Sequence, residues 1–333
     1  MTSSILKALR IVFVLFILAA IVSVYLISQM MSSPGGREDR LFEVKEGEAA
    51  RQIARNLEDQ GVIKSSIAFR LLIRLSHGES RIKAGKYRIP PAMNSLQVLE
   101  KLVKGKVESF SFTIPEGSES REIAQILENQ NICKATDFMG VVTDPGTMKV
   151  GSYKPENLEG YLFPDTYLMS GSSTPEEAAS LMVNRFNDAV LPVYRRKVRP
   201  FSLPGTVILA SLVEMEAKLD SERPVIAGVL CNRLRKRMPL QCDATIQYIL
   251  RERKAALSYS DLKIESPYNT YLNQGLPPGP ICNPGLSSLK AAMDPGEVKY
   301  LYYVVNDEKA DGSHIFTATY DDHLRAIEKY QKQ

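Results

Sequence analysis

Within an otherwise apolar stretch, Ile208-Leu-Ala-Ser-Leu-Val-Glu214-Met-Glu216-Ala-Lys-Leu-Asp220-Ser-Glu222-Arg223 places carboxylates where a helix would normally present hydrocarbon. A carboxyl group in such a setting can give a proton to a leaving group and later take one back. On a helix, Glu214 has Ala210, Ser211, Ala217 and Lys218 as its neighbours at three and four positions, whereas Glu216 has Leu212, Val213, Leu219 and Asp220. The small side chains beside Glu214 would admit a bulky substrate, and adjacent apolar surface would hold it as the protonated acid. An inward-pointing Lys218 would oppose that. Two solvated glutamates on an amphipathic helix would give the same pattern, so this stretch alone leaves both readings open.

Further candidates follow in the chain. Asp243 lies in Leu240-Gln241-Cys242-Asp243-Ala244-Thr245, just after the basic residues Arg233, Arg235, Lys236 and Arg237. It can face a site or simply cap the helical run that follows. Ser266-Pro267-Tyr268-Asn269-Thr270-Tyr271 and Gly275-Leu276-Pro277-Pro278-Gly279-Pro280-Ile281 form a rigid loop with amide and aromatic groups suited to gripping carbohydrate, and such a loop can also be purely structural. The three histidines, His77, His314 and His323, have no metal-ligand spacing, so no metal is expected. Nucleophile-elbow, phosphate-loop and dinucleotide fingerprints do not occur, so neither a nucleotide cofactor nor any other is expected.

These residues need elements to hold them. Ile11 to Ile27 is uncharged and almost wholly apolar, and Ser28 to Met31 extend it toward the roughly 20 residues that cross a bilayer. Lys7 and Arg10 precede the run, and mixed charge follows it, which favours a cytoplasmic N-terminus and an exported remainder. No small-x-small cleavage site follows, so an uncleaved anchor is expected rather than a signal peptide. Beyond a Ser-Pro-Gly tether, a repeat recurs at an offset of seventy positions. Phe42, Glu46, Gly47, Arg51, Ile53, Ala54, Leu57, Glu58 and Gln60 return as Phe112, Glu116, Gly117, Arg121, Ile123, Ala124, Leu127, Glu128 and Gln130, and Val44 returns as Ile114. Each copy reads as strand, turn and helix.

Between the copies the spacing predicts a helix through Ile67 to Leu75, a strand at Gly85–Ile89 and a helix through Leu96 to Val103. Such small α+β units resemble LysM modules, which hold N-acetylglucosamine polymers; alternatively they only set the height of the downstream domain above the membrane. Gly160, Pro164 and three nearby aromatics place a domain start near Asn157. Helices are then predicted over Glu176–Tyr194, Gly205–Leu219 and Val225–Leu234. A hairpin follows, formed by Tyr300–Val305 with Ile315–Thr317, and a last helix over Tyr320–Tyr330.

The fold class expected is α+β: an N-terminal transmembrane helix, small LysM-like α+β modules and a C-terminal α+β catalytic domain. The corresponding divisions are a cytoplasmic 1–10, a transmembrane 11–31, a tether 32–40, a LysM-like 41–110, a second repeat and connection 111–155, and a catalytic 156–333. At 44% apolar residues the chain can build real cores. Its net charge of +4 is spread over both signs without a long basic run, which argues against a nucleic-acid partner. Cys133, Cys231, Cys242 and Cys282 contain no C-x-x-C and read as buried thiols, with Cys231 and Cys242 the pair closest in sequence should oxidation occur.

Glu159-Gly-Tyr-Leu-Phe-Pro-Asp-Thr-Tyr167, Ala210-Ser-Leu-Val-Glu-Met-Glu216, Ser221-Glu-Arg223, Asn232-Arg-Leu234, the Leu240-Gln241-x-Asp243-x-Thr245 motif and the Ser266–Tyr271 and Gly275–Ile281 loops, taken in order, resemble the MltG (YceG-like) family. Met215 and Cys242 stand where many relatives have Lys and Thr, and neither departure removes a carboxylate. The resemblance implies an endolytic murein transglycosylase, with Glu214, the first glutamate of Val-Glu-x-Glu, as the catalytic residue. It implies Glu216, Gln241, Asp243, Thr245, Tyr268, Asn269, Thr270 and His314 as substrate-binding or supporting residues. The partners it implies are peptidoglycan glycan strands, the bacterial inner membrane reached by one helix, and cell-wall synthases, with the catalytic domain extracytoplasmic. A hydrolytic muramidase pairing Glu214 with Asp243, and a membrane-anchored glycan-binding or division scaffold, are the competing readings.

Overall fold

The computed structural model describes residues 2–45, 47–76, 82–105, 109–170, 173–195, 200–254 and 256–331. Glu46 of the repeat and His77 lie outside them. The chain forms two compact units, residues 1–110 with 170–172, and residues 111–169 with 173–333.

The first unit contains α1 (Thr2–Met31), β1 (Arg40–Val44), α2 (Ala50–Asp59), α3 (Ser66–Leu75), β2 (Gly85–Ile89) and α4 (Ser95–Lys104). Phe13–Met31 of α1 has mean hydropathy 2.3 and is unburied, compatible with a single membrane span. Strands β1 and β2 pair antiparallel, with Phe42 opposite Tyr87 and Val44 opposite Gly85. Their alternation sends Phe42, Val44 and Tyr87 into a core with Ile53, Leu57, Phe69, Ile73 and Leu102, leaving Leu41 outside. Tyr87 can be fully buried because its hydroxyl donates to the Lys83 carbonyl at 2.6 Å. Ser65 caps α3, and a reciprocal Asn94–Gln97 capping box starts α4.

The second unit begins with the same order of elements: β3 (Ser109–Thr113), α5 (Ser120–Asn129), α6 (Ala135–Thr143) and β4 (Thr166–Ser170), with β3 paired to β4. Repeat-equivalent residues take equivalent places. Phe112, Ile114, Ile123, Ala124 and Leu127 are buried, as are Phe42, Val44, Ile53, Ala54 and Leu57. Gly47 and Gly117 both turn the chain at positive φ, +73° and +77°, where a side chain would be strained. Residues 111–155 share one core with the helices that follow, from Phe112 and Leu127 through Phe186 to Leu289.

That core surrounds α8 (Leu203–Glu216). Thr206, Val207, Leu209, Ala210, Ser211, Leu212 and Val213 are all buried, so the helix is enclosed rather than amphipathic. Around it lie α7 (Pro175–Tyr194), α9 (Arg223–Arg235), α10 (Asp243–Leu250) and α11 (Leu286–Met293). Gly228 lets α9 approach the backbone of Gly296, whose carbonyl would collide with a Cβ there. The Pro-Gly loop is tied to α8 by Ser211 Oγ, which accepts from Ile281 N at 3.1 Å. The chain ends with the antiparallel hairpin β5 (Tyr302–Val305) and β6 (His314–Thr317), followed by α12 (Tyr320–Tyr330).

One helix is shorter than the spacing predicts. α8 stops at Glu216, because Ala217 is extended (φ −89°, ψ 125°) and a short 3-10 turn, Asp220–Glu222, intervenes before α9. Ala217, Lys218, Leu219 and Asp220 are therefore not helical neighbours of the two glutamates. All four cysteines are free.

Candidate active site

Glu214 lies near the C-terminal end of α8, with its side chain 7% exposed. Its two oxygens have different partners: Arg223 Nη1 donates to Oε1 at 3.1 Å, and the backbone N–H of Gly285 donates to Oε2 at 2.9 Å. Arg223 is itself fixed, with Nε on Asp220 Oδ1 at 2.7 Å and Nη1 also on the Ser288 hydroxyl of α11. The early end of α8 lets the chain turn back and bring this guanidinium in. Glu214 thus faces a cation and a backbone donor rather than the apolar surface expected, and the cation is Arg223 rather than Lys218.

The turn of the second repeat completes this corner. A Cβ at Gly117 would lie 3.5 Å from Glu214 Cγ, and a Cβ at Gly285 would collide with the Glu116 carboxyl group. Partial desolvation raises the Glu116 carboxyl above the ordinary carboxylate range although the residue is exposed, and the charge of Glu214 adds to this while Arg223 opposes it. Asn283, fully buried, holds the corner shut. Its Nδ2 donates to Ser118 O at 3.0 Å and to Glu159 Oε1 at 2.8 Å, its Oδ1 accepts from Leu162 N at 2.9 Å, and its carbonyl accepts from Gly117 N at 2.9 Å. The Glu159 oxygens also accept from Ser120 N at 3.0 and 3.1 Å. Burial pushes the Glu159 carboxyl up to about 7 against those hydrogen bonds.

Glu216, two residues on, points into different surroundings. It lines a cavity of about 390 Å³ with Arg233, Gln241, Asp243, Tyr271, Tyr303, His314 and others, and a second of about 330 Å³ with Asp243, Tyr248 and Lys254. Among the described cavities, Glu216 contributes to the wall of two. The Tyr303 hydroxyl donates to Glu216 Oε2 at 3.0 Å. Burial pushes the Glu216 carboxyl up to about 7, with the Tyr303 hydrogen bond opposing and nearby Asp243 reinforcing the shift.

The other candidates divide between wall and frame. Asp243 is the first residue of α10, not its cap, and its carboxylate accepts from the Tyr271 hydroxyl. It shares both cavities with Glu216 and no described cavity with Glu214. Gln241, at φ +52°, accepts from Arg233 Nη1 at 3.3 Å. His314 Nδ1 lies 2.7 Å from Glu222 Oε2, with its ring edge-on to Tyr303. Tyr268 packs on Tyr248, 5.1 Å between centroids, in a separate cavity of about 300 Å³ with Glu119, Arg121 and Arg251.

Thr245, Asn269 and Thr270 are buried and bond internally. The Thr245 hydroxyl reaches Cys242 O at 2.7 Å, Thr270 Oγ1 accepts from Cys242 N at 3.0 Å, and Asn269 donates to Leu262 O and Ile264 O. They shape the loop that presents Asp243. Sequence reasoning about chemistry passed over Glu116, Glu159, Tyr303 and Asn283. The signal for Glu116 was present in the repeat, and that for Glu159 in its motif; Arg223 likewise sat in the Ser221-Glu222-Arg223 motif without a role. Among the described residues no cluster of His, Cys, Asp and Glu could hold a metal ion.

The YceG-like family profile matches residues 42–329. A protein of Bacillus subtilis (strain 168) named endolytic murein transglycosylase is 34% identical over 307 residues, covering 87% of this chain and 84% of its own length. One of the same name from Streptococcus pneumoniae serotype 2 is 28% identical over 319 residues, and the alignment spans 57% of that longer protein. The crystal structure of a YceG-like protein from Listeria monocytogenes superposes with TM-score 0.58 at 34% identity, over 87% of this chain and 99% of that one.

Proposed function

The chain belongs to the YceG-like family, and from that premise we propose that it is an endolytic murein transglycosylase with Glu214 as its acid and base. It cleaves the β-1,4 bond between N-acetylmuramic acid and N-acetylglucosamine within a glycan strand. Protonated Glu214 gives its proton to the glycosidic oxygen as the bond to the anomeric carbon breaks. The Glu214 carboxylate then takes the proton of the muramic C6 hydroxyl as that oxygen bonds to the anomeric carbon, leaving a 1,6-anhydro end. The nucleophile is already part of the substrate, so no activated water or second nucleophilic carboxylate is required. The observation that carries the residue assignment is the fixed corner at Glu214, where Arg223 and Gly285 N–H each hold one oxygen.

A second reading has its own observation. Glu216 lines both neighbouring cavities and has a carboxyl poised at about 7, suited to general acid work near neutrality. In that reading Glu214 and Arg223 only frame the site. In the first, Glu216, Gln241, Asp243, Tyr268 and His314 line the path of the sugar, and Thr245, Asn269 and Thr270 hold the loop beneath it.

The apolar α1 supports a single-pass anchor in the cytoplasmic membrane, with the N-terminus inside and residues 32–333 outside. The strand-helix-helix-strand order of residues 41–110 supports a LysM-like module that holds glycan, and 111–333 carry out the cleavage. Cell-wall synthases that extend the strand are the fitting partners, since the cut ends strand growth. The test is mass spectrometry of uncrosslinked glycan strands after incubation with the full chain in detergent. Wild type and Glu216→Gln should yield 1,6-anhydro ends and Glu214→Gln none. Loss in Glu216→Gln with activity kept in Glu214→Gln would move the role to Glu216. Reducing ends would make the enzyme a hydrolase, and intact strands a binding protein.

A further inference from the structure

Glu116 belongs to the second copy of a repeat, and the corresponding Glu46-Gly47 of the first copy belongs to the other unit. In the second copy the same Glu-Gly turn is built against Glu214. Gly117 faces Glu214 Cγ, and the Glu116 carboxyl occupies the space that a side chain on Gly285 would need. Gly285 is also the residue whose N–H holds Glu214 Oε2. The two carboxyl groups therefore lie against one glycine from two sides. Glu116 is exposed and makes no hydrogen bond or ion pair with the described residues, whereas every other charged group of the corner is committed. Glu214 holds Arg223 and Gly285 N–H, and Asp220 holds Arg223 Nε.

Charge decides what such a neighbour does. The groups facing Glu116 are Glu214 from α8, and Asp220 and Arg223 from the 3-10 turn and the start of α9. The buried thiol of Cys282, next to Asn283, also feels Glu214. Three carboxylates thus share one guanidinium, and two like charges in one partly desolvated corner do not both ionise readily. Resting on the assignment of Glu214 as acid and base, we propose that Glu116 is the second carboxylate of the active site, a negative charge beside Glu214 that keeps the proton used in cleavage on Glu214. In the reaction the proton passes to the glycosidic oxygen as the C1–O4 bond breaks, and the proton of the C6 hydroxyl replaces it as C1–O6 forms. Glu214 ends in the state in which it began. Glu116 is a positioning residue for the proton, and the second repeat copy contributes to chemistry as well as to fold.

The experiment uses the full chain in detergent with uncrosslinked glycan strands, comparing wild type, Glu116→Gln, Glu116→Asp and Glu214→Gln from pH 5 to pH 8.5. Removing the Glu116 charge should move the alkaline limb of kcat to lower pH by about one unit, a loss of roughly tenfold at pH 8 that vanishes toward pH 5. KM and Tm should stay near wild type, and Glu116→Asp should move the limb less. A Glu116→Gln limb that coincides with wild type, or a loss equal at every pH, overturns the proposal. If Glu214→Gln still cleaves, the assignment of Glu214 fails and this proposal with it. If Glu214→Gln is dead while Glu116→Gln follows the wild-type curve, only the role of Glu116 fails.

Discussion

Replacing Glu159 by Gln should make the protein more stable at pH 8 while leaving it nearly unchanged at pH 4.5. The buried carboxyl group releases its proton at about 7 in the folded chain, against 4.5 for an ordinary glutamate. Between those values the folded chain binds more protons than the unfolded one. The contribution of Glu159 is therefore fully present below pH 4.5, is lost as pH rises through 7, and stays level above. At about 1.4 kcal/mol per unit, the window amounts to about 3 kcal/mol. Gln does not titrate, and its carbonyl oxygen can still accept from Ser120 N and Asn283 Nδ2. In a unit of this size the melting difference between Glu159→Gln and wild type should grow by roughly 6–12 °C from pH 4.5 to pH 8. Glu216, also raised to about 7, gives both proteins the same additional slope, which cancels in the difference. Circular dichroism melts of the full chain in detergent across that range measure it. A difference that stays constant within about 2 °C would refute the reasoning, since the carboxyl would then titrate alike in folded and unfolded chains.

Two further substitutions probe the same corner. Arg223→Lys keeps a positive charge but cannot span Asp220, Glu214 and Ser288 at once, so kcat on glycan strands should fall by roughly a hundredfold while the fold survives; turnover close to wild type would show that a point charge suffices. Asn283→Ala leaves the Leu162 N–H buried without its acceptor and takes one donor from Glu159. That costs about 3–4 kcal/mol, and the melting temperature should drop by roughly 6–16 °C; a drop under about 2 °C would mean that water or a shifted backbone replaces the lost bonds.

The chain's periodicities show which parts of this architecture can be read from sequence. Alternation at Phe42 and Val44, and helical spacing at Ile53, Ala54 and Leu57, lead straight to β1 and α2, and the offset of seventy predicts the equivalent burial of Phe112, Ile114, Ile123, Ala124 and Leu127. Local patterns carry such information because they report which face of an element is dry. The pattern around Glu214 misleads for the same reason. Helical neighbours were counted through Lys218, but the helix ends at Glu216, and no local signal marks that end: Ala217 and Lys218 are good helix formers. Arg223 reaches Glu214 because of the turn that follows, and Gly285 reaches it from seventy-one positions away. The capping role open to Asp243 gives way to a bond from Tyr271, twenty-eight positions on. Family motifs marked these residues as a set; their partners follow only from the tertiary fold.

The bonds of Asn283 also order events in time. Its side chain reaches Ser118 O across 165 positions and Leu162 N across 121, so the corner holding Glu214 draws on residues from Glu116 to Ser288. Closing such distant segments is slow and comes late in folding. Before the segment carrying Asn283, Gly285 and α11 docks, the corner is incomplete. Until then Glu214 lacks the N–H that fixes Oε2, and Gly117 lacks its acceptor. The corner around Glu214 is thus among the last parts of the second unit to be completed, and an unfinished chain holds the glutamate without its fixed geometry.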